Sequence, residues 1–353
     1  MIKRLFIITI LVLITILILL FNSLIIHNTY SKNDRYIEYS QKVLKMVNKS
    51  VKYFKKGDSK KAITILNDTI NADSKCWPAY STLGSIYNNL GNYQLAIEYF
   101  TKGIKLNKED PNMYIERGAA YRLTKEYQKS LNDFNNALLV YNKDKEKFDK
   151  LYKNILPEIL YWNSMTLYYM GKHKEALAKV SDAIYEIKPA NPKYYFQRGD
   201  IYFWGLGQYD KAKEDYAQAV NFAKKISDKQ TALDTYFALV YTYFALGKYN
   251  DIPDLFKKVP QKTFYTKRKI ENIQYALLLE KGEYKTVIPK MERYVKKYND
   301  YAEGYLNLGG AYYITGQFSL AESCSLKAIE LNNMDRHTAI HPCLMLMSIY
   351  GKL

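Results

Sequence analysis

The sequence predicts an all-α fold, a solenoid of about eight stacked helix-turn-helix hairpins, and three observations carry that prediction. Gly57, Gly91 and Lys125 stand 34 residues apart, and the same turn continues at Gly171, Gly207, Gly247, Gly282 and Gly316. Seven of these eight positions are glycine, and six are followed two residues later by an aromatic side chain. Small residues also recur among large apolar ones at helical spacing, although glycine inside a helix costs about 1 kcal/mol against alanine. A fixed period of this length means repeats that contact only their neighbours.

Residues 77–107 show the unit most clearly. Tyr80, Leu83, Gly84 and Tyr87 fall at i, i+3, i+4 and i+7, one face of a helix, and Ala96, Phe100 and Gly103 do the same on a second. Between them Gly91 is placed to take the left-handed conformation that closes the first helix, with Asn92 positioned to cap the next. Gly84 and Ala96 mark where the two backbones approach closely, and Tyr87 and Phe100 fill the space beside them. Leucine at Gly84 or Ala96 is expected to overpack the hairpin, whereas Asn88, assigned to an open groove, is expected to be replaceable at little cost. Gly118, Tyr121, Tyr127 and Phe134 repeat the pattern one period on.

The order Tyr80, Leu83, Gly84, Tyr87, Gly91, Tyr93, Ala96, Phe100, Leu106 resembles the tetratricopeptide repeat (TPR) over roughly residues 43–335. The resemblance implies a right-handed superhelix with repeats at 43–76, 77–110, 111–144, 157–191, 192–226, 233–267, 268–301 and 302–335, and a capping helix over 336–353. Several departures stand out. Lys125 replaces a turn glycine, about 12 extra residues precede Pro157, and the GLGQ stretch at 205–208 carries one residue too many. Ile252 and Val287 stand where alanine is expected, beside Pro253 and Pro289, so those second helices are expected to start late or bend.

Residues 1–26 are of another kind. Lys3 and Arg4 precede an apolar run from Leu5 to Phe21, extended by Leu24 to Ile26, long enough to cross a bilayer core. The flank lacks the small-residue pattern of a cleavage site. The expectation is therefore one uncleaved transmembrane anchor followed by a linker over 27–42, with a cleaved signal and a secreted product as the alternative. The positive tail ahead of the span favours a solenoid outside the cytoplasm, in a periplasmic setting.

A net charge of +17 would attract anionic surfaces, and residues 42–61 hold eight lysines against the single acid Asp58. Chemistry is absent from the motifs: no P-loop, no HExxH, no GxSxG and no paired CxxC. No cofactor and no metal are expected, and the chain reads as a non-enzyme. Cys324 and Cys343 would lie on neighbouring helices, open either to a disulfide or to the commoner role of small buried side chains.

What remains is binding. The resemblance implies that positions 2, 5, 9 and 12 of each repeat line a groove. Those positions supply Tyr161, Met165, Tyr168, Phe196, Phe203, Phe237, Tyr241 and Phe244 centrally, with Ser81, Ser85, Asn88 and Arg122 nearer the N-terminus. Aromatic and methionine side chains are the types that anchor partner segments, although insertions that shift the register would return them to the core. The lysine–asparagine clamp of the family's chaperone-binding branch is missing. The expected function is a membrane-anchored adaptor or scaffold for protein partners in envelope assembly or secretion. Alternatives are a cytoplasm-facing adaptor of the same design and, less compatible with a membrane span, a nucleic-acid-binding helical repeat.

Overall fold

A computed structural model describes residues 41–187, 190–259 and 263–331. Among these residues there are seventeen α-helices and no strand. The transmembrane and capping segments expected over 1–26 and 336–353 lie outside them, as do Cys343 and residues 27–40 of the linker expected over 27–42, whose last two residues already belong to the first helix.

The described residues divide at 231/232 into two compact units. In the first, the hairpins are α1 (Gln41–Lys55) with α2 (Ser59–Ala72), α3 (Trp77–Asn89) with α4 (Tyr93–Leu106), and α5 (Pro111–Leu123) with α6 (Tyr127–Lys143). After a short α7 (Lys145–Leu151) come α8 (Ile155–Tyr169) with α9 (His173–Glu186), and α10 (Pro192–Asp200) with α11 (Tyr209–Lys225). Each second helix packs on the next first helix, and first helices also touch one another: α1 on α3, α3 on α5, α5 on α8.

Why the hairpins close is visible at each turn. Gly91 has φ +76°, the Asn92 amide donates to the Tyr87 carbonyl, and the Asn92 side chain accepts from the Leu95 amide. Lys125, lacking glycine's freedom, is nonetheless held at φ +64°. The fifth residue after each turn is completely buried in all eight hairpins: Ala62, Ala96, Ser130, Ala176, Ala212, Ile252, Val287 and Ala321. Gly84 meets its partner helix so closely that a Cβ there would lie 2.8 Å from the Phe100 ring. Two arginines staple hairpins internally, Arg117 to Asp133 and Arg198 to Asp215, each through two hydrogen bonds of 2.7–2.8 Å. The planar guanidinium fork makes such two-point pairs and a lysine cannot.

The two length anomalies are absorbed locally. Residues 145–156 form α7 and a left-handed Asn154, and they are sealed by buried Phe148 and Tyr152, whose hydroxyl donates to buried Asp110 at 3.0 Å. The extra residue near Gly205 widens the end of α10 into a π-helical turn over Ile201–Gly205. There the closing bond runs from the Gln208 amide to the Tyr202 carbonyl, one residue longer than the equivalent bond at Asn92.

The second unit holds α12 (Lys229–Ala245), α13 (Ile252–Lys258), α14 (Phe264–Glu280), α15 (Tyr284–Lys297), α16 (Ala302–Ile314) and α17 (Phe318–Leu331). Its core gathers Val287, Met291, Tyr294, Tyr298, Leu308 and Tyr312. Pro253 does delay its helix: a 3-10 turn over Tyr249–Asp251 precedes a short α13. Pro289 does not, which corrects the expectation of a late start there. Helix α15 begins at Tyr284 and runs through the proline to Lys297, forgoing the one backbone bond that Pro289 has no N–H to donate.

Candidate partner-binding surface

The side chains expected to line a groove are largely drawn into packing. Tyr161 and Phe237 are buried, at 9% and 3% exposure, and so cannot stand free as anchors. Tyr161 lies against Tyr194 with ring centroids 4.8 Å apart, and Phe237 lies under the Lys269 ammonium at 4.6 Å. Met165 packs against the core of the α8–α9 region. Four others lean on aromatic rings of their own repeat: Tyr168 on His173 (5.3 Å), Phe196 on Tyr216 (5.7 Å), Phe203 on Tyr209 (5.1 Å) and Phe244 on Tyr249 (5.6 Å). Tyr241 is half-buried, and its hydroxyl donates to Glu303 at 3.4 Å. Wide aromatic rings in first helices fill the gap to their neighbours, so they make contacts within the protein rather than an open ladder.

Asn88 is also more committed than its sequence position suggests. Its amide donates to the backbone carbonyl and to the carboxylate of Glu116, each at 3.3 Å. Glu116 is buried with no cation beside it. Burial, opposed by the Asn88 bond and reinforced by nearby Glu158, pushes its carboxyl up to about 7.

Exposed apolar side chains stand on several helices of the first unit, Leu139 and Tyr185 on second helices among them, but at the last turns of consecutive first helices they recur at one repeat position. Leu123 is 44% exposed, Tyr169 37% and Trp204 46%. They occupy one position of three successive repeats, two residues before the turn for Leu123 and Tyr169 and three before it for Trp204, because of the π-turn. That periodicity is legible in the sequence at repeat position 13, next to groove position 12.

Arg122 sits beside this row. Its guanidinium carbon lies 5.1 Å from the Trp162 ring centroid and 6.0 Å from that of Tyr169, and Tyr169 in turn stacks on Tyr127 at 6.0 Å. Its Nε is buried with no hydrogen-bond acceptor. Burial holds the Arg122 guanidinium below its ordinary range, whereas Arg198, bonded to Asp215, is raised. Trp162 donates its indole N–H to Glu158 at 3.0 Å, and Lys193 approaches Glu158 at 4.0 Å.

Among the described residues no three His, Cys, Asp or Glu side chains gather as a metal would need, and no helix is long and apolar enough to cross a membrane. Cys76 and Cys324 are free and buried, and burial pushes both thiols up to about 11.

Comparison with known proteins agrees with this geometry. Tetratricopeptide-repeat profiles match residues 77–110, 192–226 and 302–333. Human tetratricopeptide repeat protein 16 is 27% identical over 132 residues, covering 37% of this chain and 15% of that protein. A TPR repeat-containing protein of Methanocaldococcus jannaschii is 27% identical over 208 residues, covering 56% of this chain and 36% of that one. The chain thus spans well under two thirds of the length of either relative. Among solved structures, a tetratricopeptide repeat protein from Parabacteroides merdae superposes with a TM-score of 0.54 at 16% identity, covering 87% of this chain and all of that one. PilW, described as a widely conserved type IV pilus biogenesis factor, gives 0.53 at 16% identity over 63% of this chain and 93% of its own. At such identities the likeness concerns the fold alone. Tetratricopeptide repeats thus match at 77–110, 192–226 and 302–333, and the buried ladder and left-handed turn residue of those repeats recur in every described hairpin.

Proposed function

We propose that this protein is a membrane-anchored, non-enzymatic adaptor that holds protein partners of envelope assembly or secretion near a membrane. The observation that carries the binding face is the exposed row Leu123, Tyr169 and Trp204, since large apolar and aromatic side chains left in water on a regular surface are the usual anchors of partner segments. Support for the anchor comes from the apolar run over residues 5–21 behind Lys3 and Arg4. PilW, a pilus biogenesis factor of similar fold, supplies the analogy to envelope assembly.

Photo-crosslinking in the native host tests the face. A crosslinker placed at Trp204 should give discrete protein adducts, and one placed at Tyr185, 82% exposed on the second helix α9, should give none. Equal adducts at both positions would remove this row as the binding face. Adducts sensitive to nuclease would favour the nucleic-acid reading instead.

A further inference from the structure

Arg122 differs from the other described arginines. Arg117, Arg198 and Arg268 are each bonded to an aspartate, and Arg293 donates to the Pro289 carbonyl. Arg122, half-buried over Trp162 and Tyr169, keeps a buried Nε without an acceptor; Arg268 has such an Nε too, but its Nη1 bonds Asp300. A buried donor without a partner is costly, and a ligand that completes it is one reason for a folded chain to keep it. Burial also removes the water that would otherwise compete for the guanidinium, which strengthens any charge-assisted bond made there.

Resting on the adaptor reading above, we infer that Arg122 is the anchor for an internal aspartate or glutamate side chain of the partner segment, whose following apolar residues lie over Tyr169 and Trp204. Charge complementarity selects this occupant: a guanidinium whose buried Nε lacks an acceptor stands beside an apolar row on a chain of net charge +17. A nucleic-acid strand fits less well, because phosphate binding needs a series of cations. Here the groups acting on the Arg122 guanidinium are the tyrosines Tyr169, Tyr161, Tyr127 and Tyr93 rather than further cations. An internal carboxylate is favoured over a terminal one because the apolar row continues beyond Arg122 through two further repeats.

Replacing a merely structural arginine should destabilise the fold, whereas replacing a cation held ready for a ligand should leave the fold unharmed and remove binding. The test uses the full chain in mild detergent with a fluorescent probe, an N-acetylated, C-amidated peptide of alternating aspartate and leucine, and its asparagine–leucine counterpart. Wild-type protein should bind the aspartate peptide at least about tenfold more tightly than the asparagine one, and Arg122→Met should abolish that preference. The Arg122 Nε–H resonance should shift on titration with the aspartate peptide. Arg122→Met should melt at or above the wild-type temperature, while Arg117→Met, which strands Asp133, should melt lower.

Absence of the aspartate preference in wild-type protein, an unchanged preference in Arg122→Met, or equal competition by oligothymidylate would each overturn the inference. So would a fall in melting temperature for Arg122→Met as large as that for Arg117→Met. The two proposals fail separately: adducts at Trp204 without an aspartate preference leave the adaptor and remove the anion anchor, and loss of both removes the two together.

Discussion

Lys125 holds a backbone conformation that L-residues with a Cβ adopt at a cost of about 1–2 kcal/mol, and it does so in the place where seven other turns use glycine. Its side chain is exposed, so replacement loses no packing. Lys125→Gly should therefore raise stability by about 0.5–1 kcal/mol after glycine's larger unfolded-state entropy is subtracted, which chemical denaturation at constant m-value would read. Glu116 gives a prediction with a pH signature. Its carboxyl titrates near 7 when folded and in the ordinary carboxylate range when unfolded, so between those values the folded chain keeps a proton that the unfolded chain releases. Stability must fall as pH rises through that window and is fully present below it. Glu116→Gln should melt close to wild type at pH 5 and above it at pH 8; equal melting at both would show that the carboxyl is not strained. At this scale much was legible in the sequence. The close approach at Gly84 and the roles of Gly91 and Asn92 follow from local spacing and cap chemistry. The pairing of Asn88 with Glu116 does not, because it joins residues 28 positions apart across two first helices.

At the scale of elements, the sequence counted its own irregularities but could not say what shape they take. One surplus residue at 205–208 is compatible with a longer loop or a widened helix, and packing decides between them. His173 fills the space beside Gly205, so closely that a Cβ there would meet its ring at 2.8 Å. Gly205→Ala should accordingly cost about 1–3 kcal/mol by overpacking. The same change in a His173→Ala background should cost clearly less, and additive effects in this double-mutant cycle would mean that the contact does not set the π-turn. The insertion over 145–156 was visible as extra length, but its anchoring was not. Tyr152→Phe should lower stability by about 1 kcal/mol through loss of the bond to Asp110. For two of the groove residues burial overrides position for a related reason: a position number fixes the direction a side chain leaves its helix, and not whether a neighbour arrives to cover it. Tyr161 and Phe237 leave in the expected direction and are covered.

For the molecule as a whole, period and turn chemistry disclosed the class of fold from residue 43 onward, since each hairpin repeats the same local solution. The division at 231/232 was not legible, because no punctuation in the chain marks it. Topology is the prediction that belongs here. With an uncleaved anchor and the repeats outside the cytoplasm, added protease should digest the repeats once the outer barrier is osmotically opened and spare them in sealed cells. Digestion only after inner-membrane lysis would reverse the orientation, and a mature N-terminus near residue 27 or 31 would show a cleaved signal. The π-turn bears on how such a chain changes length over generations. One added codon in the last turn of a first helix is taken up within that turn, and α11 still begins with its small residues facing inward. The same codon placed inside a second helix would rotate every later side chain of that helix by about 100°, carrying its alanine face out of the stack. Single-residue growth in this array is thus survivable at the ends of first helices and lethal in the middle of second ones.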